Sequence, residues 1–523
     1  MGSDASAGGE RPSRLRVLVE LVLFLAVLLV PLVAVWGASS LAAMWTGRAD
    51  AAAALGLLLF PVLPVGWEVA SLRRRAKEKK PRPRILTAVD RLTLRTLAVT
   101  LPFLVPMVWL WPAPLFQALT TRGDWFLDGV EAPWAAGARS AVLRVADGLV
   151  WMHDAVDDNP WRDDEGEAVV VQHDEGPGPM PDGAHVDVVS PTPAPAPAPT
   201  PTPTPTPAPA PTPTPTPVPP PAPTPTPPSP PSPLDPGAWP FSATLHPLAH
   251  DPPATAAASI ESLGAYYAAE IADPVERAKA VHDWIADHVA YDAPSYHAGR
   301  IPPQTAERAF TSHLAVCAGY ARLFEALGDA AGLHVETVVG TARHGPLDSD
   351  GHAWNAIELE DRWFLVDTTW DAGSVEGDTF TRDYRAMYFL VPPEVIGVTH
   401  FPDEERWQLR DAPLTRGEWN RQPMLRPLFF AAGLHLDTPD RAQIDAGPTV
   451  RAHVTAADEA WHLLATVEPE GGGERQHCDV AGTRTIDVSC ALPARGAWTV
   501  RLYTSRERYG MYDGVASFDV AYR

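Results

Sequence analysis

Cysteine is scarce in this chain, with three residues among 523. None of them lies in a CxxC pair or in a Cys/His cluster with the spacing of zinc ligands, so the sequence predicts no metal and no cofactor. Cys317 stands alone, whereas Cys478 and Cys490 lie close together near the C-terminus. In an oxidising compartment this pair would form a disulfide, although two buried free thiols are also compatible with the sequence.

Basic residues are in deficit as well, since 41 Lys and Arg stand against 64 Asp and Glu. A cluster of the basic residues lies in one short segment, so the remainder of the chain is still more acidic. A strongly acidic surface repels phosphates and anionic headgroups. We therefore expect that the globular part binds no nucleic acid.

Charged residues are nearly missing from three early stretches, namely Leu15–Trp36, about 51–72 and about 94–116. Each stretch is long enough to cross the ~30 Å hydrocarbon core of a membrane as a helix. Residues 73–84 carry eight basic side chains, whereas the loop before them has only Arg48. The positive-inside bias places the N-terminus and this basic loop in the cytoplasm and the residues after about 117 outside it. If the first span were a cleaved signal peptide instead, as the small residues at 37–40 would allow, the C-terminal part would still be extracytoplasmic.

Proline makes up nearly every second residue of the segment 191–235. Such a sequence forms neither a helix nor a sheet ladder and adopts polyproline II, which at ~3.1 Å per residue would reach roughly 130 Å. Residues 117–190 before it are an acidic membrane-proximal segment with an amphipathic pattern around 138–152. We interpret 191–235 as a stalk and expect the region beyond it to fold without the membrane anchor of residues 1–116.

Residues 246–415 show helical patterns first and strand patterns afterwards, which is the order of an α+β domain with an antiparallel sheet. Asp273 followed by Pro274 predicts the start of one helix. Three strand-like segments follow later, at 335–342, 353–359 and 363–367. Residues 425–523 contain short alternating segments separated by turn residues, and they predict an Ig-like antiparallel β-sandwich.

Cys317 lies where the third helix of the 246–415 region should begin. A thiol at a helix N-terminus feels the positive end of the macrodipole, which favours the reactive thiolate. Ala318 and Gly319 are small and should leave the space beside the thiol open. Taken alone, however, an isolated cysteine is more often a buried structural residue.

His352 opens one strand pattern and Asp367 closes the next. With a four-residue loop at 358–361 the two residues would pair directly, and a two-residue loop would shift the register but keep both on one face. Cross-strand neighbours on one face lie ~5 Å apart, or somewhat more on the diagonal, so a carboxylate there could orient an imidazole. Together with Cys317 they supply a nucleophile, a base and an orienting group. We therefore predict a Cys317–His352–Asp367 catalytic triad.

The surrounding motifs carry a more specific pattern over about residues 255–412. They include AVHDWI (280–285), YD (291–292), VCAGYA (316–321), VGTA (339–342), HAWN (352–355), WFLVDTTW (363–370), YFL (388–390), HFP (400–402) and WQL (407–409). With these motifs the region resembles the transglutaminase-like superfamily of the papain fold. The resemblance is strongest to the branch that contains kyphoscoliosis peptidase, cytokinesis protein 3 and bacterial exported proteins.

The resemblance implies cysteine acyl chemistry. Cys317 would attack an amide carbonyl, His352 would protonate the departing amine, and Asp367 would hold the imidazole. The backbone N–H of Cys317 would stabilise the oxyanion. A second donor is not evident from the sequence, and Gln304 and Tyr291 are only guesses for it.

These observations predict a membrane-anchored thiol peptidase or amidase that acts on extracytoplasmic protein or cell-wall peptides. A protein-crosslinking transglutaminase is the second enzyme hypothesis, because the sequence does not separate water from an amine as the acceptor. A non-catalytic adhesion or scaffold module with a vestigial triad is the third hypothesis and belongs to a different class.

Overall fold

The computed structural model describes residues 14–77, 86–154 except 111, 129 and 131, then 161, 169–170, 185–188, 238–345, 349–470 and 472–522. The predicted stalk at 191–235 lies outside these residues, as does part of the basic loop at 73–84.

Six helices form the N-terminal part. Their bounds are α1 Arg14–Thr46, α2 Ala49–Leu57, α3 Leu63–Ala76, α4 Ala88–Leu110, α5 Pro112–Arg122 and α6 Ala135–Asp154. Within the described residues, three segments are long and apolar enough to cross a membrane, at Leu29–Thr46, Ala49–Ala76 and Ala88–Leu110. The second of them joins α2 to α3 through a π-helical turn.

The helix ends differ from the predicted spans at two places. α1 continues past Trp36 to Thr46, and α4 ends at Leu110, with α5 as a separate helix. The small residues after Trp36 let α5 approach this part of α1. A Cβ on Gly37 would lie 2.7 Å from Cδ1 of Leu115, so a larger residue there would require the leucine side chain to move.

The proposed orientation can be tested with protease added to intact spheroplasts. We expect digestion to remove the C-terminal domains and to spare the basic loop at 73–84, because eight basic residues favour the cytoplasmic side. Fragment masses, read with antibodies to the loop and to the C-terminus, give the result. Protection of the C-terminal domains would reverse the orientation.

The remaining helices are short and lie mostly in the first half of the globular part. They are α7 Pro247–His250, α8 Ile260–Glu270, α9 Pro274–His288, α10 Ala293–His297, α11 Ala306–Ser312, α12 Cys317–Ala330, α13 Thr368–Ala372, α14 Pro393–Thr399, α15 Arg416–Arg421 and α16 Pro427–Ala431. Asp273 caps α9 as predicted, since its carboxylate accepts the N–H groups of Val275 and Glu276 at 2.9 and 3.0 Å.

The strands before residue 410 are β1 Val169–Val170, β2 His185–Val188, β3 Ala290–Tyr291, β4 Arg300–Ile301, β5 Leu314–Ala315, β6 His334–Arg343, β7 Ser349–Leu359, β8 Arg362–Val366, β9 Gly373–Glu376, β10 Thr379–Arg382 and β11 His400–Pro402. Four of them form an antiparallel sheet in the order β11-β6-β7-β8. Residues of α12 and of this sheet share one hydrophobic cluster, among them Phe324, Val335 and Ile357. The predicted mixture of helices with an antiparallel sheet is confirmed.

The C-terminal strands are β12 Met424–Leu425, β13 Leu434–Thr438, β14 Gln443–Ala446, β15 Thr449–Ala456, β16 His462–Pro469, β17 Gln476–His477, β18 Asp479–Ala481, β19 Thr485–Ala491, β20 Gly496–Ser505 and β21 Gly510–Tyr522. One sheet has the order β12-β21-β20-β16-β17, and the other has the order β13-β15-β19-β18. Both contribute to one hydrophobic cluster, as Val488 and Val500 illustrate. Two sheets therefore pack on a shared core, and an Ig-like topology stays a prediction.

Cys478 and Cys490 form a disulfide in this region. Cys490 lies in β19 of the four-stranded sheet, and the N–H of Cys478 donates to the carbonyl of Ala465 in β16 of the other sheet. The bridge therefore links segments that belong to both sheets. Cys317 is the remaining cysteine and is free.

The membrane-proximal residues contact the globular part directly. Asn420 Nδ2 donates to Thr120 Oγ1 at 3.1 Å, Arg421 donates to the carbonyl of Thr120 at 2.9 Å, and Arg441 pairs with Asp124 at 3.1 Å. Strand β2, from the acidic segment, also pairs with β21. The part beyond the stalk therefore has polar contacts with residues before it, and the expectation that this part folds without the membrane anchor stays a prediction.

Candidate active site

Cys317 is the first residue of α12, and a short parallel pair of strands fixes the chain before it. In this pair, Tyr291 of β3 lies opposite Ala315 of β5. The N–H of Asp292 donates to the carbonyl of Ala315 at 2.9 Å. Cys317 is 1% exposed. Because the first N–H groups of a helix have no acceptor within it, the thiol lies beside an unused backbone donor at the positive end of α12.

Gln304 packs against the start of α12. Its Oε1 accepts the N–H of Val316 at 2.9 Å, and its Nε2 donates to the carbonyl of Pro302 at 2.8 Å. A Cβ on Gly319 would lie 2.6 Å from that Oε1. The expectation that Gly319 leaves open space beside the thiol is therefore wrong, because Gln304 occupies it. Gln304 therefore supports the helix start, and since its amide nitrogen has two N–H groups and one of them donates to Pro302, its role as an oxyanion donor stays a guess.

The turn between β7 and β8 is Glu360–Asp361, where both residues have positive φ, 51° and 59°. Two such residues form the type I′ turn that closes a two-residue hairpin loop. Asn355 pairs with Val366, so His352 is one diagonal step away from the position opposite Asp367. Direct pairing of His352 with Asp367 is therefore wrong, but the even loop length keeps both side chains on the same face.

The carboxylate of Asp367 is fully buried and accepts three hydrogen bonds. Its Oδ2 lies 2.7 Å from Nε2 of His352 and 2.9 Å from Nε2 of His400, and its Oδ1 accepts the N–H of Trp370 at 3.1 Å. Less than 4% of either histidine is exposed. The three donors fix the carboxylate in one orientation and satisfy its charge without water.

The charges of the site follow from these contacts. Burial alone would lower the pKa of His352, but the charge of Asp367, its hydrogen bond and Cys317 raise the pKa of this imidazole to about 10. Burial would raise the pKa of Asp367, but His352 and His400 bring it well below its ordinary value. The pKa of His400 is lowered by burial in spite of Asp367. At neutral pH the site therefore contains a carboxylate, an imidazolium at His352 and a neutral His400.

The side chain of Cys317 hydrogen-bonds the same imidazole. Because Nε2 of His352 is engaged by Asp367, Nδ1 is the nitrogen left for the thiol. The structure thus brings all three predicted site residues together. A thiol beside an imidazole that a carboxylate orients is the arrangement of an activated cysteine nucleophile.

Tyr291 lies beside the thiol with an unused hydroxyl. Its ring is 2% exposed, and its Oη is buried with no hydrogen-bond partner among the described residues. Burial first, and then the interaction with Cys317, raise the pKa of Tyr291 well above its usual range. A buried hydroxyl without a partner is costly, so its position next to a nucleophile is a functional feature to explain.

His352, Asp367 and His400 are also the group of three potential metal ligands that the described residues contain. Ligands of a tetrahedral ion at ~2.0–2.1 Å are roughly 3.3 Å apart, whereas the two N···O distances here are 2.7 and 2.9 Å. These distances fit hydrogen bonds better than ligation of an ion. The expectation of no metal stays a prediction.

Sequence reasoning missed the role of one residue in this group. His400 was singled out only as part of the HFP motif at 400–402, and nothing in its spacing connects it to Asp367. The connection comes from the sheet, where β11 pairs with β6 and places His400 opposite Ala342. A histidine at the start of a short strand could have been tested as a partner of the triad, but only with the strand order known.

Part of the chain is similar to known proteins. Residues 262–368 match the family model described as the transglutaminase-like superfamily. The kyphoscoliosis peptidases of Mus musculus and Homo sapiens are 32% and 31% identical over 182 and 202 residues, or 32% and 36% of this chain. The chain spans only 27% and 30% of the length of these relatives. A solved structure of a TGase is 20% identical over 24% of this chain and 33% of its own, with a TM-score of 0.19.

Proposed function

Since this chain contains a domain of the transglutaminase-like superfamily, matched over residues 262–368, we propose that it is a membrane-anchored, extracytoplasmic thiol enzyme that cleaves amide or peptide bonds. The observation that carries the proposal is the buried contact of Cys317 with an imidazole that Asp367 orients from its other side. The three apolar segments before residue 111 support the membrane anchor.

In the proposed reaction, the Cys317 thiolate attacks the amide carbonyl and forms a C–S bond while the carbonyl electron pair moves to oxygen. The backbone N–H of Cys317 is one donor to this oxyanion, and the free hydroxyl of Tyr291 is the candidate for the second. When the intermediate collapses, the C–N bond breaks and His352 gives its proton to the departing amine. Water then attacks the thioester, His352 takes the proton of that water, and the thiolate leaves with the acid product released.

Asp367 has a distinct part in this proposal. Its carboxylate keeps the proton on the imidazole, so that His352 holds the proton that it later gives to the departing amine. Burial by itself opposes this effect, so it is the charge of Asp367 and its hydrogen bond that keep the imidazole protonated.

A second candidate function follows from the same thioester. If an amine in place of water resolves it, the product is a crosslink, and the family that residues 262–368 match supports this option. Casein with a fluorescent primary amine would distinguish the two acceptors. New amino termini indicate hydrolysis, and amine incorporation indicates transamidation.

The proposed function is tested with iodoacetamide and the full-length protein in detergent. Since Cys478 and Cys490 are joined, Cys317 is the thiol available for alkylation. We expect rapid alkylation near neutral pH, and a loss of about a hundredfold or more in His352→Ala, because the base that takes the thiol proton is removed. A wild-type rate no greater than that of a free cysteine peptide would favour the scaffold hypothesis instead.

A further inference from the structure

His400 is held on both ring nitrogens in the core behind the site. Its Nδ1 lies 2.8 Å from the hydroxyl oxygen of Thr399, and its Nε2 lies 2.9 Å from Oδ2 of Asp367. A hydroxyl can donate to an unprotonated Nδ1, whereas a carboxylate can only accept. The Asp367 contact therefore requires the proton on Nε2, and the single hydrogen of the Thr399 hydroxyl is shared between Nδ1 and the carbonyl of Ile396 at 3.2 Å. In this neutral tautomer His400 can serve Asp367 as a donor without bringing a charge.

His400 contacts Oδ2 of Asp367, which is the same oxygen that accepts from His352 in the triad. Oδ2 of Asp367 accepts from His352 and His400 together, and the backbone N–H of Trp370 takes the other oxygen. Without His400, Oδ2 would keep a single donor, and the carboxylate would be held by two hydrogen bonds in place of three. We propose that His400 is a positioning residue that fixes Asp367 in the orientation from which this carboxylate aligns His352. This inference rests on the proposed function.

The rings around His400 leave it little freedom. The centroids of Trp370 and Trp354 lie 4.5 and 5.0 Å from its own, and the ring of Tyr388 lies at 5.7 Å. A ring that is confined in this way loses little further entropy when it makes its hydrogen bond, so the bond is available to hold the carboxylate.

The titratable groups that face this cluster come from several elements. Cys317 of α12 faces His352, and Tyr291 of β3 faces Cys317. His344, after β6, interacts with His352 and His400, and burial lowers the pKa of His344 to about 3. Arg426 is the cation that interacts with His344. Near neutral pH, His344 is therefore uncharged and the role of His400 does not depend on its titration.

Two substitutions with the same amide group separate a positioning role from a packing role. His400→Gln carries an amide N–H that reaches about as far as Nε2 of histidine, and His400→Asn carries it one methylene short. In the full-length protein, we expect the iodoacetamide rate of Cys317 at neutral pH to stay within about threefold of wild type in H400Q and to fall about tenfold in H400N, since a hydrogen bond to a charged group is lost. Equal rates in the two variants would overturn the proposal.

The route through Asp367 is tested by combining variants. If His400 acts through this carboxylate, H400N should have little effect in a protein that already carries Asp367→Asn. Adding H400N to that variant should change the alkylation rate by less than about twofold. A full additional tenfold loss in the double variant would contradict the proposed route. The rate of Asp367→Asn must lie above that of His352→Ala for this comparison, which a parallel measurement shows.

The melting temperature of each variant is measured together with its alkylation rate, to show whether the variant is folded. If H400N fails to fold, Thr399→Val decides, because it keeps His400 in the chain and removes the hydroxyl that lies 2.8 Å from its Nδ1. We expect a loss of severalfold in that variant, and a wild-type rate would overturn the proposal. A failure of the proposed function looks different, since the wild-type thiol itself would then be unreactive.

Discussion

Replacing Cys317 by alanine is expected to abolish acyl transfer completely. The C–S bond of the proposed thioester has no other atom from which to form, because the two remaining cysteines are joined to each other. Removal of a nucleophile leaves only the binding and oxyanion contributions to the rate. The measurement is the release of new amino termini from casein, followed together with incorporation of a fluorescent amine.

The stability cost of this substitution should be small but not zero. The sequence predicted open space beside the thiol, whereas Cys317 is 1% exposed and belongs to a large hydrophobic cluster. Loss of its sulfur should cost about 1 kcal/mol of unfolding free energy. Cys317→Ser keeps the size of the side chain and serves as the matched control. Activity that survives in both variants would refute Cys317 as the nucleophile.

Replacing Asp367 by asparagine is expected to shift the pH dependence of alkylation as well as its size. Asp367 raises the pKa of His352, so removal of its charge must lower that pKa, because burial then acts with much less opposition. A weaker base takes the thiol proton less readily. At about pH 6 the rate should therefore fall by about tenfold or more, whereas at about pH 9, where an ordinary thiol ionises unaided, it should approach the wild-type value.

The pH profile separates this effect from general damage. A protein that is merely destabilised would lose rate at both pH values, and its melting temperature would fall in proportion. A profile parallel to that of the wild type would mean that the charge of Asp367 does not act on His352. We also expect Asp367→Asn to be milder than His352→Ala, since the base itself remains.

The local part of the site could be predicted from sequence. It depends on whether the β7–β8 loop has an even number of residues and on where the helix that carries Cys317 begins. Cys317 begins a helix as expected, and any even loop between β7 and β8 keeps His352 and Asp367 on one face. Of the two loop lengths that the sequence left open, the structure has the two-residue loop. Its residues Glu360–Asp361 adopt positive φ, which a sequence without an Asn-Gly or Asp-Gly turn does not indicate.

The contacts between distant segments could not be predicted in this way. His400 reaches Asp367 only because β11 joins the sheet beside β6, and the sequence gives strand patterns without their order. Gln304 fills the space that Gly319 leaves, which depends on how a loop folds back onto α12. In both cases the missing information is the path of a loop. Hydrophobic periodicity predicts helices and strands but not how a loop folds.

The polar contacts between the membrane-proximal helices and the globular part have a consequence for binding equilibria. A covalent tether turns the meeting of the two surfaces into an intramolecular event, with an effective concentration of about a millimolar for short flexible linkers and less for longer or stiffer ones. Arg441 with Asp124 and Arg421 with Thr120 are two of these contacts, and the pairing of β2 with β21 adds to them. Because Asp124 is 1% exposed, added salt should screen its ion pair with Arg441 less than it screens a pair at the surface.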